Sequence, residues 1–269
     1  MNPYISIVTV NYNNLTGLQK SVESVFEERN FFNGIEYIVI DGMSSDGSAE
    51  YLQEHNSQID CLVIEKDTGI FNAMNKGLRL ATGDYVLFLN SGDYLVRGVI
   101  SRVFEDSFYE EDILYGDTFF VDSNGSKIQY FHPKQLSFMF FLNHSINHQS
   151  TFIKRTLHQR FPYNERFKLA SDWEFFLKRI IFENVKYKHL GVPICYYELD
   201  GLSADAENNT LLKQEKQIII NELEIERILE DYVFFCDLYQ MGILKYFKRE
   251  KIKGWRLFML RKILSFLLR

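Results

Sequence analysis

Over its first ninety residues the chain alternates between short apolar runs rich in β-branched residues and longer stretches whose apolar positions recur at helical spacing. Ile5 to Val10 is continuous, as in a parallel strand covered on both faces. Leu18, Val22, Val25 and Phe26 then fall on one face of a helix. Glu36 to Ile40 reads as a second strand, followed by a helix carrying Ala49, Tyr51 and Leu52. Cys61 to Glu65 is a third strand, "DTGIFNAMNKGLRLAT" a loop and helix, and Tyr85 to Leu89 a fourth strand. This order predicts an α/β fold with a doubly wound, Rossmann-like, mostly parallel central sheet and flanking helices. Ligands of such sheets bind beyond the carboxyl ends of the strands.

After Asp93 the texture changes. Ile100 to Phe108 reads as a helix, and "ILYGDTFFVDSNGSKIQYF" as a hairpin turning at Asn124-Gly125. An aromatic segment, Phe138 to Leu142, precedes a helix starting near Ser171 in "ASDWEFFLKRIIF". "PICYYEL" is strand-like and gives way to the loop "DGLSADAENN". From there the pattern is helical almost to the end, with no proline after Pro193 and no internal repeat. The organisation expected is a domain over 1–204, divided near residue 98, with a helical C-terminal extension over 205–269.

A chain of 269 residues buries a core without crosslinks. Cys61, Cys195 and Cys236 lie far apart among apolar residues, with no metal-binding spacing, and read as thiols of a reducing compartment. The start, "MNPYISIVTV", lacks the basic flank and long apolar stretch of a signal peptide, and no later run reaches membrane-spanning length; a cytoplasmic location is expected. The net charge of −6 argues against nucleic acid as a partner. It hides an asymmetry: residues 245–269 hold nine Lys or Arg against one acid, Glu250, a local +8 that leaves −14 for the rest. With Trp255 and many Leu, Ile and Phe between its charges, this tail suits an anionic membrane surface, or a helix docked on protein.

Three polar clusters stand where a parallel sheet exposes them: Asn11 to Asn14, Asp41, and Asn90 to Asp93 in "FLNSGDYL". Converging carboxylates and amides suit a nucleotide and a hard divalent cation. Turns and helix caps use the same residue types. Neither GxGxxG nor GxxxxGK[ST] follows a strand, which argues against dehydrogenase and kinase readings.

The ordered set "ISIVTVNYNN", "EYIVIDGMSSDGS", "EKDTGIFNAMNKGLRLATGDYVLFLNSGD", "HQSTFIKR" and "SDWEFFLKR" closely resembles the inverting family 2 glycosyltransferases of the GT-A fold, particularly bacterial members that build surface polysaccharides. The resemblance covers roughly residues 4 to 204. It implies transfer of a hexose or N-acetylhexosamine from a nucleotide-sugar donor, a UDP-sugar, to a glycan or lipid-linked saccharide acceptor, on the inner face of the plasma membrane. Donor contacts are implied for Val10, Asn11, Tyr12, Asn13, Asp41, Asp67, Asn75, Asn90 and Ser91, with Lys76 and Arg79 near the phosphates. The family's DxD metal motif aligns with Asn90-Ser91-Gly92-Asp93, so the usual direct ligand is Gly92. Asp93, with His148 of the "HQ" pair, is then the implied ligand set for Mg²⁺ or Mn²⁺. Asp172, second residue of the family's "ED" motif with Ser171 in place of the first acid, is implied as the base that deprotonates the acceptor. Asp200, Gly201 and Ser203 match a segment that closes over the donor. A nucleotidyltransferase and a degenerate nucleotide- or sugar-binding module are the alternatives.

Overall fold

A computed structural model describes residues 5–199, 206–225 and 230. The loop holding Asp200, Gly201 and Ser203 and the tail 245–269 fall outside the described residues, as does Cys236. Contacts divide the chain into units 1–216 and 217–269, and the sheet belongs to the first.

The first unit starts with β1 (Ile5–Asn11), α1 (Leu15–Glu28), β2 (Ile35–Asp41), α2 (Ser48–Glu54), β3 (Cys61–Ile64), α3 (Ile70–Leu80) and β4 (Tyr85–Phe88). The strands pair in parallel in the order β3-β2-β1-β4. Every residue of β1, β2 and β4 is buried, as their unbroken apolar runs require. Leu18, Val22 and Val25 of α1 pack with Ile5, Ile7, Tyr37 and Leu87 beneath the sheet. In the β1–β2 register Asn11 lies opposite Asp41, which sets two polar strand ends side by side.

The parallel arrangement stops at β4. The second half adds β5 (Tyr94–Leu95), α4 (Val99–Phe104), β6 (Ile113–Val121), β7 (Lys127–Tyr130), α5 (Phe138–Asn143), a short turn of helix at His148–Ser150, β8 (Thr151–Lys154) and α6 (Arg155–Arg160). It ends with α7 (Ser171–Phe176), a π-helical turn at Leu177–Phe182, β9 (Tyr187–Glu198) and α8 (Ala206–Glu222). Strand β8 is antiparallel to β4 and to β6, β9 is parallel to β6, and β5 is antiparallel to β9. Helix α4 is shorter than the expected Ile100 to Phe108 because Glu105 is extended and Asp106 adopts φ 59°. The β6–β7 hairpin turns at Gly125, φ 78°, where Asp122 Oδ1 accepts from the N–H groups of Asn124 and Ser126.

Two histidines make this fold sensitive to acid. His158 is fully buried against Phe88, Tyr163 and Phe175, and burial lowers its pKa from 6.5 to about 4. His132 is lowered to about 4 by the same cause. Their contribution is complete above the unfolded value near 6.5, where both states are neutral. Below it the unfolded chain takes protons that the folded one refuses until about pH 4. Urea unfolding should therefore show stability falling by roughly 1.4 kcal/mol per pH unit for each histidine across that window. A His158→Phe variant is expected to have the shallower slope of one histidine fewer, and an unchanged slope would refute the assignment.

Candidate active site

The four residues of "NYNN" tie three strand ends together. Asn11 donates to Asp41 Oδ2 at 2.7 Å. Asn13, held at φ 50°, accepts from the Ser45 N–H at 2.8 Å, while its own N–H reaches Ser44 Oγ. Asn14 caps α1 through Gly17 and donates to the Ser91 carbonyl at 3.0 Å. The Ser91 N–H in turn meets the Val10 carbonyl. Tyr12 is 66 % exposed and offers an aromatic surface to a flat ligand.

Asp41 is fully buried and accepts from Asn11 Nδ2, Ser44 N–H and Ser44 Oγ, all within 2.8 Å. It therefore locks the loop after β2 to the loop after β1. The Asn11 Oδ1 beside it is buried without a hydrogen-bond partner among the described residues. A Cβ on Gly42 would lie 2.7 Å from Asp67 Oδ2 and 3.0 Å from Tyr12 Cδ2, so the missing side chain is what lets Tyr12 and Asp67 both approach this backbone. Sequence reasoning passed over Gly42; its signal is its place immediately after the strand-end acid. The flexible end of Asp67 can yield to a methyl group, so Gly42→Ala should keep its melting temperature. It is expected to weaken UDP binding several-fold in calorimetry, and unchanged affinity would remove Gly42 from the site.

The "NSGD" turn explains its own departure from DxD. Gly92 sits at φ 108°, a conformation that L side chains rarely adopt. The turn sends Asp93 inward, where it is 5 % exposed. One Asp93 oxygen accepts from Gln149 Nε2 at 3.0 Å and the other from the Glu198 N–H at 3.1 Å. Burial pushes its pKa up to about 7 against these two donors. The carboxylate thus anchors the loop to β9 and to the "HQ" turn. Each of these oxygens keeps a lone pair beyond its one hydrogen bond, so the contacts themselves leave Asp93 able to ligate a cation. Among the described residues no group of three or more His, Cys, Asp or Glu side chains is arranged to hold a metal ion.

Asn90 and His148 face the other way. Asn90 Nδ2 lies 3.1 Å from His148 Nε2, and His148 Nδ1 lies 3.0 Å from Asp172 Oδ2. Protonated at Nδ1, the imidazole donates to Asp172 and accepts from Asn90. Asp172 is one-fifth exposed, and its Oδ1 accepts from the Trp173 N–H at 2.7 Å. Free lone pairs remain on both oxygens.

The remaining expected residues make contacts within the chain. Asn75 is buried and exchanges hydrogen bonds with both backbone groups of Tyr163. Asn75 and Asn72 also donate to Glu165, whose carboxyl those amides hold below its usual range. Lys76 pairs with Glu65 and donates to the Lys66 carbonyl, closing the loop before α3. Ser171 Oγ accepts from the Asn164 N–H, and Glu174 pairs with Lys178.

Polar groups gathered at the strand ends, an exposed aromatic side chain and the linked Asn90, His148 and Asp172 mark this part of the α/β fold as the candidate active site. The model of Glycosyl transferase family 2 matches residues 6–169, and the chain belongs to that family. A PGL/p-HBAD biosynthesis glycosyltransferase of Mycobacterium bovis (strain BCG / Pasteur 1173P2) is 30 % identical over 223 residues, 79 % of this chain and 84 % of the relative. The glycosyltransferase MJ1057 of Methanocaldococcus jannaschii is 22 % identical over 87 % of this chain and 82 % of its own length. Among solved structures, Staphylococcus aureus TarS 1-349 with UDP-GlcNAc is similar at a TM-score of 0.58 and 18 % identity, over 72 % of this chain and 58 % of TarS. The mannosyltransferase PcManGT of Pyrobaculum calidifontis, solved with GDP-Man and Mn²⁺, is similar at 0.55 and 15 % identity, over 73 % and 57 %. The fold is that of GT-A glycosyltransferases, and family membership sets aside the nucleotidyltransferase alternative. No described helix is long and apolar enough to cross a membrane.

Proposed function

We propose that the protein transfers a sugar from a nucleotide-sugar donor, a UDP-sugar, to a hydroxyl of a glycan or lipid-linked saccharide, with inversion at the anomeric carbon, in surface polysaccharide or glycolipid assembly. The observation that carries this reading is the chain Asn90–His148–Asp172, with contacts of 3.1 and 3.0 Å. It joins the loop where the family places the donor diphosphate to the carboxylate it uses as base. Tyr12 stacks on the base, with Asp41, Asn11 and Asp67 framing it; the Val10 to Asn13 and Asn90 to Ser91 backbones border the ribose and diphosphate. Asp172 accepts the acceptor proton as the hydroxyl attacks from the side opposite the leaving nucleoside diphosphate. His148 orients that carboxylate by donating to it.

Neutralisation of the leaving group by Mg²⁺ or Mn²⁺ is part of the family resemblance. Asp93 and His148 would hold such a cation, which would supply positive charge to the leaving diphosphate, and no step here runs through it. Asn90 and Gly92, standing where the DxD motif has acids, favour one competing reading, a nucleotide- or sugar-binding module that has lost turnover.

Release of nucleoside diphosphate from a panel of UDP- and GDP-sugars, with saccharide acceptors and with Mn²⁺ or EDTA, tests the proposal. Acceptor-dependent release from one donor supports transfer. Saturable UDP binding with no release from any donor would establish the binding module instead. The tail 245–269 is proposed to place the acceptor site at an anionic membrane surface. Full-length protein should float with anionic vesicles and a chain ended near residue 240 should not; equal flotation would exclude that role.

A further inference from the structure

Asp172 follows a stretch of backbone that a distant helix holds. Glu215, on α8, is 5 % exposed, and its two carboxylate oxygens accept from three consecutive N–H groups: Lys168 at 2.7 Å, Leu169 at 2.9 Å and Ala170 at 2.9 Å. A carboxylate in a cradle of successive backbone amides makes charge-assisted bonds and fixes the direction of the chain that leaves it. That chain is Ser171-Asp172, the start of α7. The next residue on α8, Lys216, places its Nζ 4.9 Å from the centre of the Trp173 ring. Two successive residues of α8 thus hold the entry to α7, one on the backbone before it and one over the Trp173 ring.

From the other side the same stretch is held by α3, through Asn75 to Tyr163 and through Asn72 and Asn75 to Glu165. The backbone carrying Asp172 therefore hangs between an anchor on the donor half and an anchor on α8. We propose that Glu215 is a positioning residue of the transfer reaction, holding residues 168–170 so that Asp172 stands where His148 and the acceptor hydroxyl can both reach it. This rests on Asp172 being the base. Misplacement of a reacting group by about 1 Å costs up to roughly a hundredfold in rate, while the nucleotide contacts on the first two strands are untouched by α8.

The test uses full-length wild type, Glu215→Gln, Glu215→Ala and Asp172→Asn, with UDP as the binding probe. Nucleoside diphosphate release gives kcat and donor KM, and amide hydrogen exchange reports on residues 168–173. Expected for Glu215→Gln is a fall in kcat of about tenfold or more, with donor KM and UDP affinity at wild-type values. Glu215→Ala should fall further and lose exchange protection at 168–173, with protection of β1 and β2 retained. Full kcat in Glu215→Ala overturns the proposal, as does unchanged exchange at 168–173. Loss of UDP affinity in step with kcat also overturns it, because that marks general unfolding. Asp172→Asn separates the two claims. Wild-type kcat in that variant removes the base, and unchanged exchange in Glu215→Ala removes the positioning role whichever residue is the base.

Discussion

Asp172→Asn should lower kcat for sugar transfer by about 10²- to 10⁴-fold, the usual worth of a general base, while UDP affinity and thermal stability stay near wild type. The amide keeps the volume of the carboxylate and one accepting oxygen, so packing around Trp173 is preserved. It cannot take a proton. Its NH₂, facing His148 Nδ1, would also set donor against donor where the present contact is 3.0 Å. The imidazole must then change tautomer, and Asn90, whose Oδ1 is buried and unpartnered, would turn that oxygen to His148 Nε2. The variant therefore removes a base and reorders the link to the "NSGD" loop in one change. Steady-state kinetics with calorimetry of UDP check it, and a kcat within a few-fold of wild type would remove Asp172 from the chemistry.

Asp41→Ala is expected to act on stability and binding together. The substitution leaves Asn11 Nδ2 and both donors of Ser44 without their shared acceptor in a fully buried place. An orphaned buried donor costs about 1–3 kcal/mol, so a loss of roughly 3 kcal/mol in urea unfolding is expected. The loops that Asp41 ties together carry Tyr12, Asn13 and Gly42, so UDP affinity should fall at least about tenfold, or 1.4 kcal/mol. Asp41→Asn, which keeps the volume and one accepting oxygen, should lie between the two. A variant that loses affinity without losing stability would make Asp41 a ligand contact rather than a lock.

The sequence makes the first half of the fold legible because each element there is determined by its own neighbours. Buried parallel strands need unbroken apolar runs, and β1, β2 and β4 have them. Strand β5 was not foreseen, since two residues show no period and Tyr94–Leu95 is a strand only by pairing with Cys195 and Tyr196. The site divides in the same way. The asparagines of "NYNN", Asp41 and Asp172 are visible as polar residues ending or beginning apolar elements. What each touches is set by other strand ends and is written nowhere locally. Asp93 and Asn75 look like ligand residues by position, and their contacts with Gln149, Glu198 and Tyr163 are not legible there. Glu215 carries no local signal at all, because its partners lie 45 to 47 residues away.

The contact between Asp93 and the Glu198 N–H spans 105 residues of sequence. Closing so long a loop is slow, and the local β-α-β pairings of residues 5–89 form long before β9 is available to them. The "NSGD" turn is therefore fastened only when the last strand of the sheet docks. During synthesis the nucleotide crevice gains its finished floor after about two hundred residues have emerged. Affinity for a nucleotide is consequently expected to appear only at the end of folding, after the first half already looks native.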